Sequence, residues 1–311
     1  MDDRPLVSVI VIFLNGARFI EEAVTSVLEQ TYPCWELFLV DDGSTDGSTE
    51  LAKRYAQQHS GRIWYLQHHN HQNRGMSASR NLGLNHARGD FVAFLDADDV
   101  WLPEKLERQV AMMQAQPKAA LVYGSSQHWY SWTGDAVDLP RDYIPAIGIE
   151  ADGLIAPPAL LTLSLKSTVR TPCPSNFLVR RETAKQVGGF EEQFRNLFED
   201  QAFLAKVFLQ SHVFVTRECW DRYRRHADSC VSTAAREGTK YSAGLEYFSW
   251  LKDYLLSQRV QDPELWTALR KKRYRYRYSR AQQHLRQFAG VMRRLAKKSL
   301  PASVQRSPQN D

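Results

Sequence analysis

Apolar runs alternate with amphipathic stretches through the first 123 residues. Val7-Ser8-Val9-Ile10-Val11-Ile12-Phe13-Leu14 is almost continuously apolar and β-branched, the pattern of a parallel strand covered on both faces, and Asn15-Gly16 ends it. Ile20, Ala23, Val24, Val27 and Leu28 then recur at helical spacing and predict a helix with one apolar face, closed by Pro33. A second strand, 36–40, runs into Asp41-Asp42-Gly43-Ser44-Thr45-Asp46-Gly47; a helix begins near Ser48 and a short strand follows at 63–66. Arg74-Gly75-Met76-Ser77-Ala78-Ser79-Arg80-Asn81-Leu82-Gly83 reads as a glycine-marked turn entering a helix, followed by a strand over 91–95. Pro103 opens a helix bearing Leu106, Val110 and Met113, and 119–123 is another strand. Such strand–helix alternation predicts βαβ units and a doubly wound α/β sheet.

Periodicity lapses between Gly124 and Pro174, where Trp129, Tyr130 and Trp132 sit among Pro, Gly and Asp. Substrate-shaping loops are expected there, with the aromatics either stacking on sugar rings or packing beneath a long loop. Order resumes with a strand at 176–179, a helix over 182–187, the Gly188-Gly189-Phe190 turn, a helix carrying Phe203, Leu204, Val207 and Phe208, and a strand at 213–215. Two helices, 241–256 and 265–300, complete the pattern, and 301–311 has the composition of a disordered tail.

Length and composition fit one large or two ordinary domains, since 311 residues at 43% hydrophobic content supply a sizeable core. No run of about eighteen apolar residues occurs, and Met1-Asp2-Asp3-Arg4-Pro5 lacks a signal-peptide core, so a cytoplasmic location is expected. Cys34, Cys173, Cys219 and Cys230 form no CxxC pair and read as reduced thiols. The net charge of +5 is unevenly spread: residues 270–298 hold twelve Lys and Arg and no acid, leaving 28 bases against 35 acids elsewhere, a net −7.

Chemistry concentrates where strands end. Phe94-Leu95-Asp96-Ala97-Asp98-Asp99 carries three carboxylates in four residues. Such crowding fits a hard cation such as Mg2+ or Mn2+, or an acidic cap on the next helix. The Asp41-Asp42 loop likewise either caps a helix or binds a ligand at the carboxyl end of a parallel strand. Asp200, at the start of a helix, suits a cap or a catalytic carboxylate. His68, His69 and His71 match no metal-ligand spacing and read as a polar loop.

Taken in order, Val7-Ser8-Val9-Ile10-Val11 with Asn15-Gly16, Val40-Asp41-Asp42-Gly43-Ser44, Ala78-Ser79-Arg80-Asn81-Leu82-Gly83, Phe94 to Asp99, Glu199-Asp200 and Tyr223-Arg224-Arg225-His226 closely resemble family 2 glycosyltransferases over about residues 5–232. The resemblance implies a GT-A fold: a Rossmann-like, mostly parallel sheet flanked by helices, divided into a nucleotide-sugar half (1–123) and an acceptor half (124–232), with 233–300 as a helical basic extension. It implies an inverting enzyme dependent on Mn2+ or Mg2+ that takes a nucleotide-diphosphate sugar, commonly a UDP-sugar, to a saccharide or lipid-linked acceptor in cell-surface polysaccharide or glycolipid synthesis. By the same resemblance Asp42 and Asp41, with backbone around Phe13 and Asn15, meet the nucleoside. Asp96 and Ala97 belong to a DxD motif facing the ribose or donor sugar, Asp98 holds the metal, and Asp99 orients the motif from behind. Arg80 approaches the nucleotide, His226 the diphosphate or metal, and Asp200 is the catalytic base.

Competing classes fit less well. No GxGxxG or GxxxxGK[ST] loop follows the first strand, which disfavours dinucleotide and P-loop chemistry. A non-catalytic sugar-nucleotide binder of the same fold would dispense with Asp96, Asp98 and Asp200. The Arg-Tyr alternation at 273–278 comes with no nucleic-acid module, so no nucleic-acid partner is expected. The basic helix is either a solvated face or a peripheral contact with anionic lipid on the cytoplasmic face of a membrane.

Overall fold

The computed structural model describes residues 4–150, 152–195 and 197–298; the tail expected to be disordered, 301–311, lies outside them. In chain order come β1 (Val7–Phe13), α1 (Ile20–Leu28), β2 (Trp35–Asp41), α2 (Ser48–Gln58), β3 (Ile63–Gln67), α3 (Met76–His86), β4 (Phe91–Asp96), β5 (Val100–Trp101), α4 (Lys105–Ala115) and β6 (Ala119–Trp129). Then follow β7 (Gly153–Ile155), α5 (Ala159–Lys166), β8 (Leu178–Arg180), α6 (Arg181–Gln186), α7 (Glu199–Gln210), β9 (His212–Arg224), α8 (Cys230–Glu237), α9 (Lys240–Ser257) and α10 (Pro263–Lys298).

The strands build one sheet in the order β3-β2-β1-β4-β8-β6-β9-β5, with β7 also on β9. β3, β2, β1 and β4 are parallel. β8 lies antiparallel to β4 and β6, and β6 and β9 again run parallel. The sheet is thus a parallel half grafted onto a mixed half. Continuous apolar runs in β1, β2 and β4 follow from burial on both faces: Ile10, Ile12, Phe38, Val92 and Phe94 enter one core, while Val9, Val11, Leu37, Ala93 and Leu95 enter the other. The fold is GT-A.

Two differences from the sequence reading concern the segment 124–174 and the polar stretch after Val215. β6 runs on to Trp129 and β9 to Arg224 because the two pair along most of their length, with register shifts that let polar residues alternate without an apolar period. Within the irregular segment Leu160, Leu161 and Leu165 of α5 are buried in the first core. Tyr247, Phe248, Leu251 and Leu255 of α9 and Leu265, Ala268 and Leu269 of α10 join that same core, so the C-terminal helices begin as part of the packed body. No helix among the described residues is long and apolar enough to cross a membrane.

Candidate active site

The carboxyl ends of β2 and β4, on either side of β1, deliver the acidic residues to one edge of the sheet, as parallel sheets require. Asp41 is fully buried and saturated. Its Oδ1 accepts from the Ser44 and Gly43 amides, at 2.8 and 3.2 Å, and its Oδ2 from Thr49 Oγ1 and Tyr65 OH, at 2.6 and 3.1 Å, with His71 Nε2 at 3.1 Å. Burial pushes the Asp41 carboxyl up, but the Thr49, Ser44 and His71 hydrogen bonds outweigh it and hold it below its ordinary range. Asp42 accepts from the Arg74 and Gly75 amides at 2.7 and 2.9 Å, which draws the 74–75 turn onto the loop. Asn15, with φ 53°, donates its amide to Ser44 Oγ and accepts from the Thr45 amide, at 3.0 and 2.7 Å, and the Phe13 carbonyl accepts from the Asp42 amide at 2.9 Å. Gly43 sits at φ +88°, and a Cβ there would lie 2.8 Å from the Asn73 amide nitrogen and the His71 carbonyl oxygen, so only glycine fits the turn.

Asp96, Ala97, Asp98 and Asp99 follow at the end of β4 and take different neighbours. Asp98 Oδ2 lies 2.9 Å from His226 Nε2, and the Asp98 carbonyl accepts from Arg224 Nε at 2.7 Å. Asp99 is buried and turned inward, accepting from Ser175 Oγ at 2.6 Å and the Arg224 amide at 3.0 Å. Burial, then the Asp98 and Asp96 charges, push its carboxyl well above the ordinary range. Ser175 Oγ in turn accepts from the Asp96 amide at 3.1 Å. Ser175 and Asp99 therefore lock the acidic turn after β4 to the end of β9, two residues before His226. His226 Nδ1 is buried without a partner among the described residues.

Arg80 lies beneath this edge. Its side chain is 1% exposed, donating to Asp96 Oδ1 at 2.6 Å and Glu199 Oε1 at 3.0 Å. Burial works against the charged guanidinium, but the two carboxylates raise its pKa above its ordinary value. The resemblance implies that Arg80 approaches the nucleotide; in the structure its two carboxylate bonds bridge the acidic turn after β4 to the start of α7. Asp200, beside Glu199, is half-buried and accepts from the Gln201 amide at 2.7 Å. Burial first, then the Glu199 charge, push the Asp200 carboxyl up to about 7 against the pull of the Gln201 bond and Arg80. One helical turn on, Phe203 stacks on Phe190 at 4.4 Å and on Phe177 at 5.8 Å and meets Phe94 of β4 at 6.3 Å, so aromatic packing fixes where Asp200 stands relative to Asp96.

The aromatics of the irregular segment pack rather than stand open. Trp129, Phe19 and Trp132 lie 4.5, 4.8 and 5.1 Å from the Arg224 guanidinium, and Trp132 Nε1 donates to the Arg225 carbonyl at 3.0 Å. Tyr130 lies 4.3 Å from the Arg141 guanidinium. His68 Nε2 lies 2.9 Å from Ser79 Oγ and 3.6 Å from Asp42, and among the described residues no three His, Cys, Asp or Glu side chains converge as a metal cage. Sequence reasoning left Glu199 and Ser175 without a role, although Glu199 stood in the Glu199-Asp200 pair; no local pattern marks Ser175.

Residues 8–188 match the family described as glycosyl transferase family 2. The chain belongs to that family. Among family 2 relatives, TuaG of Bacillus subtilis (strain 168), named for teichuronic acid biosynthesis, is 35% identical over 58% of this chain and 65% of its own length. WfgD of Escherichia coli, a UDP-Glc:α-D-GlcNAc-diphosphoundecaprenol β-1,3-glucosyltransferase, is 38% identical over 40% of this chain and 47% of its own. The chain thus spans less than two thirds of either relative. Among solved structures, TarS 1-349 of S. aureus in complex with UDP-GlcNAc superposes with a TM-score of 0.68 at 20% identity, covering 88% of this chain and 73% of that one, a likeness of fold.

Proposed function

We propose that this chain is an inverting glycosyltransferase that moves a sugar from a nucleotide diphosphate, a UDP-sugar, to a hydroxyl of a saccharide or lipid-linked acceptor in cell-surface polysaccharide or glycolipid synthesis. The names of TuaG and WfgD support the acceptor class, and the UDP-Glc in the name of WfgD supports the donor. The observation that carries the reading is the Asp96–Arg80–Glu199 bridge, which joins an acidic turn fit for a cation to a carboxyl poised near neutral pH. A cavity-lining carboxyl raised to about 7 by burial and Glu199 supports proton transfer over binding alone.

Mn2+ or Mg2+ fits the donor set at Asp98 and His226. Asp98 Oδ2 and His226 Nε2, which meet at 2.9 Å where β4 ends, would be the groups that hold it. Two protein ligands would leave positions for substrate phosphates. A cation bound there supplies Lewis-acid stabilisation of the leaving diphosphate.

The protein's own groups do the rest. The loop pinned by Asp41, Asp42 and Asn15 forms a rigid wall for the nucleoside at the end of β2, and Asp96 and Ala97 stand where β4 ends, beside the donor sugar. Asp200 takes the proton of the acceptor hydroxyl as it attacks the anomeric carbon from the face opposite the diphosphate, which inverts that centre. A base near pH 7 is ionised at working pH yet still basic enough to draw the proton. The exposed cations of α10, Arg270, Lys271, Arg275, Arg277 and Arg280, support peripheral contact with an anionic membrane. The test is release of UDP from a panel of UDP-sugars with Mn2+: Asp98→Asn and Asp200→Asn should each lose at least about a hundredfold, and unaltered turnover in both sinks the assignment.

A further inference from the structure

Asp200 and Gln201 line a cavity of about 760 Å³ whose wall also includes the 124–128 stretch of β6, the 164–173 segment and residues of α8, α9 and α10. Asp200 is the one acid on the wall among the described residues, whereas Arg170, Lys240 and Lys272 face the cavity from three separate segments. No carboxylate pairs with any of these three cations among the described residues. Lys272 Nζ donates to Ser167 Oγ at 2.5 Å, and Arg170 Nε to the Ala146 carbonyl at 3.2 Å. Burial and the neighbouring Arg275 push the Lys272 ammonium below its ordinary range. A half-buried ammonium beside a second cation is unfavourable until an anion completes it.

An aromatic surface connects these cations to Asp200. Phe198, two residues before it, stacks on Tyr247 of α9 at 5.3 Å, and the adjacent Phe248 meets Tyr276 of α10 at 4.9 Å. Tyr276 lies one turn after Lys272 and so shares its face of α10. Gly244 lets α9 approach: a Cβ there would strike the Tyr276 ring and lie 3.2 Å from Phe198. Base, apolar surface and cations thus line a single cavity.

We propose that Lys272, Lys240 and Arg170 form an anion subsite in the acceptor cavity, and that the acceptor presenting its hydroxyl to Asp200 carries a phosphate or diphosphate held there. The proposal rests on Asp200 being the base. Its shared chemistry, a phosphate group, has two sources: a lipid-linked sugar phosphate or free inorganic phosphate.

Calorimetric titration of the full chain separates them, with EDTA present and UDP saturating so that neither the metal nor the donor pocket contributes. Geranyl diphosphate should bind and geraniol should not. Lys272→Ala and Lys240→Ala should each weaken geranyl diphosphate about tenfold or more, the scale of one lost charge-assisted contact, while Lys118→Ala, an exposed cation before β6, leaves it unchanged. Lys272→Gln, which keeps a donor for Ser167, repeats the loss without disturbing the packing. Equal affinity in wild type and both alanine variants, or no binding to wild type, overturns the subsite. Inorganic pyrophosphate binding as tightly as geranyl diphosphate overturns the acceptor assignment in favour of a free anion. Hydrolysis of UDP-GlcNAc by the wild type with Mn2+, measured on the same preparation, reports on the transferase reading independently.

Discussion

Replacing Glu199 with Gln isolates what its charge does to Asp200. Gln keeps the shape and an oxygen to accept the Arg80 bond, now 3.0 Å long, but removes the negative charge that acts after burial to raise the Asp200 carboxyl from 3.8 to about 7. That rise corresponds to about 4 kcal/mol against the ionised form. Because the base works only when ionised, wild-type kcat/KM should rise with pH along a limb centred near 7, reaching about a tenth of its plateau at pH 6 and about a hundredth at pH 5. Loss of the Glu199 charge should move that limb down by about one unit, the effect of one neighbouring like charge. At pH 6 the variant should then run at about half its own plateau, roughly a fivefold gain in relative activity. The assay is kcat/KM for UDP release between pH 5 and 9, a parameter that follows the free enzyme. A wild-type profile flat from pH 5 to 8, or a limb that Glu199→Gln leaves in place, refutes this account of Asp200.

Asp200→Asn should also change stability in a pH-dependent way. The folded state holds the Asp200 proton more tightly than the unfolded chain, so this group makes the protein less stable as pH rises from about 4 to 7. The variant should therefore be more stable than wild type at pH 8, by up to about 4 kcal/mol, with the gain gone at pH 4; a pH-independent difference in thermal unfolding contradicts it. Arg80→Met strips the shared partner from Asp96 and Glu199 and should destabilise by about 3–5 kcal/mol in urea unfolding at pH 8, as breaking a buried ion pair does. A loss below about 1 kcal/mol would mean the bridge is solvent-screened.

Much of the parallel half of the sheet was determined by the sequence itself. The unbroken apolar runs of β1, β2 and β4 and the helical spacing of α1 are local signals, and the acidic residues Asp41, Asp42 and Asp96 to Asp99 are conspicuous because each group abruptly ends such a run. Periodicity says nothing about distant partners, and there the tertiary structure decided. Leu161-Thr162-Leu163-Ser164-Leu165 alternates like a strand, yet it is helical in α5 because its leucines pack with those of α7 and α10. Trp129 and Trp132 enclose Arg224, a contact no spacing rule reveals. His226 reaches Asp98 across 128 positions and Arg80 reaches Glu199 across 119, because β9 and α7 fold back onto the end of β4. The tuning of Asp200 to about 7 belongs wholly to the fold, since desolvation exists only once the core has closed around the carboxyl. The sequence determined which groups carry the chemistry; only packing decided which of them face the cleft, which brace it from behind, and which cations line the cavity beside Asp200.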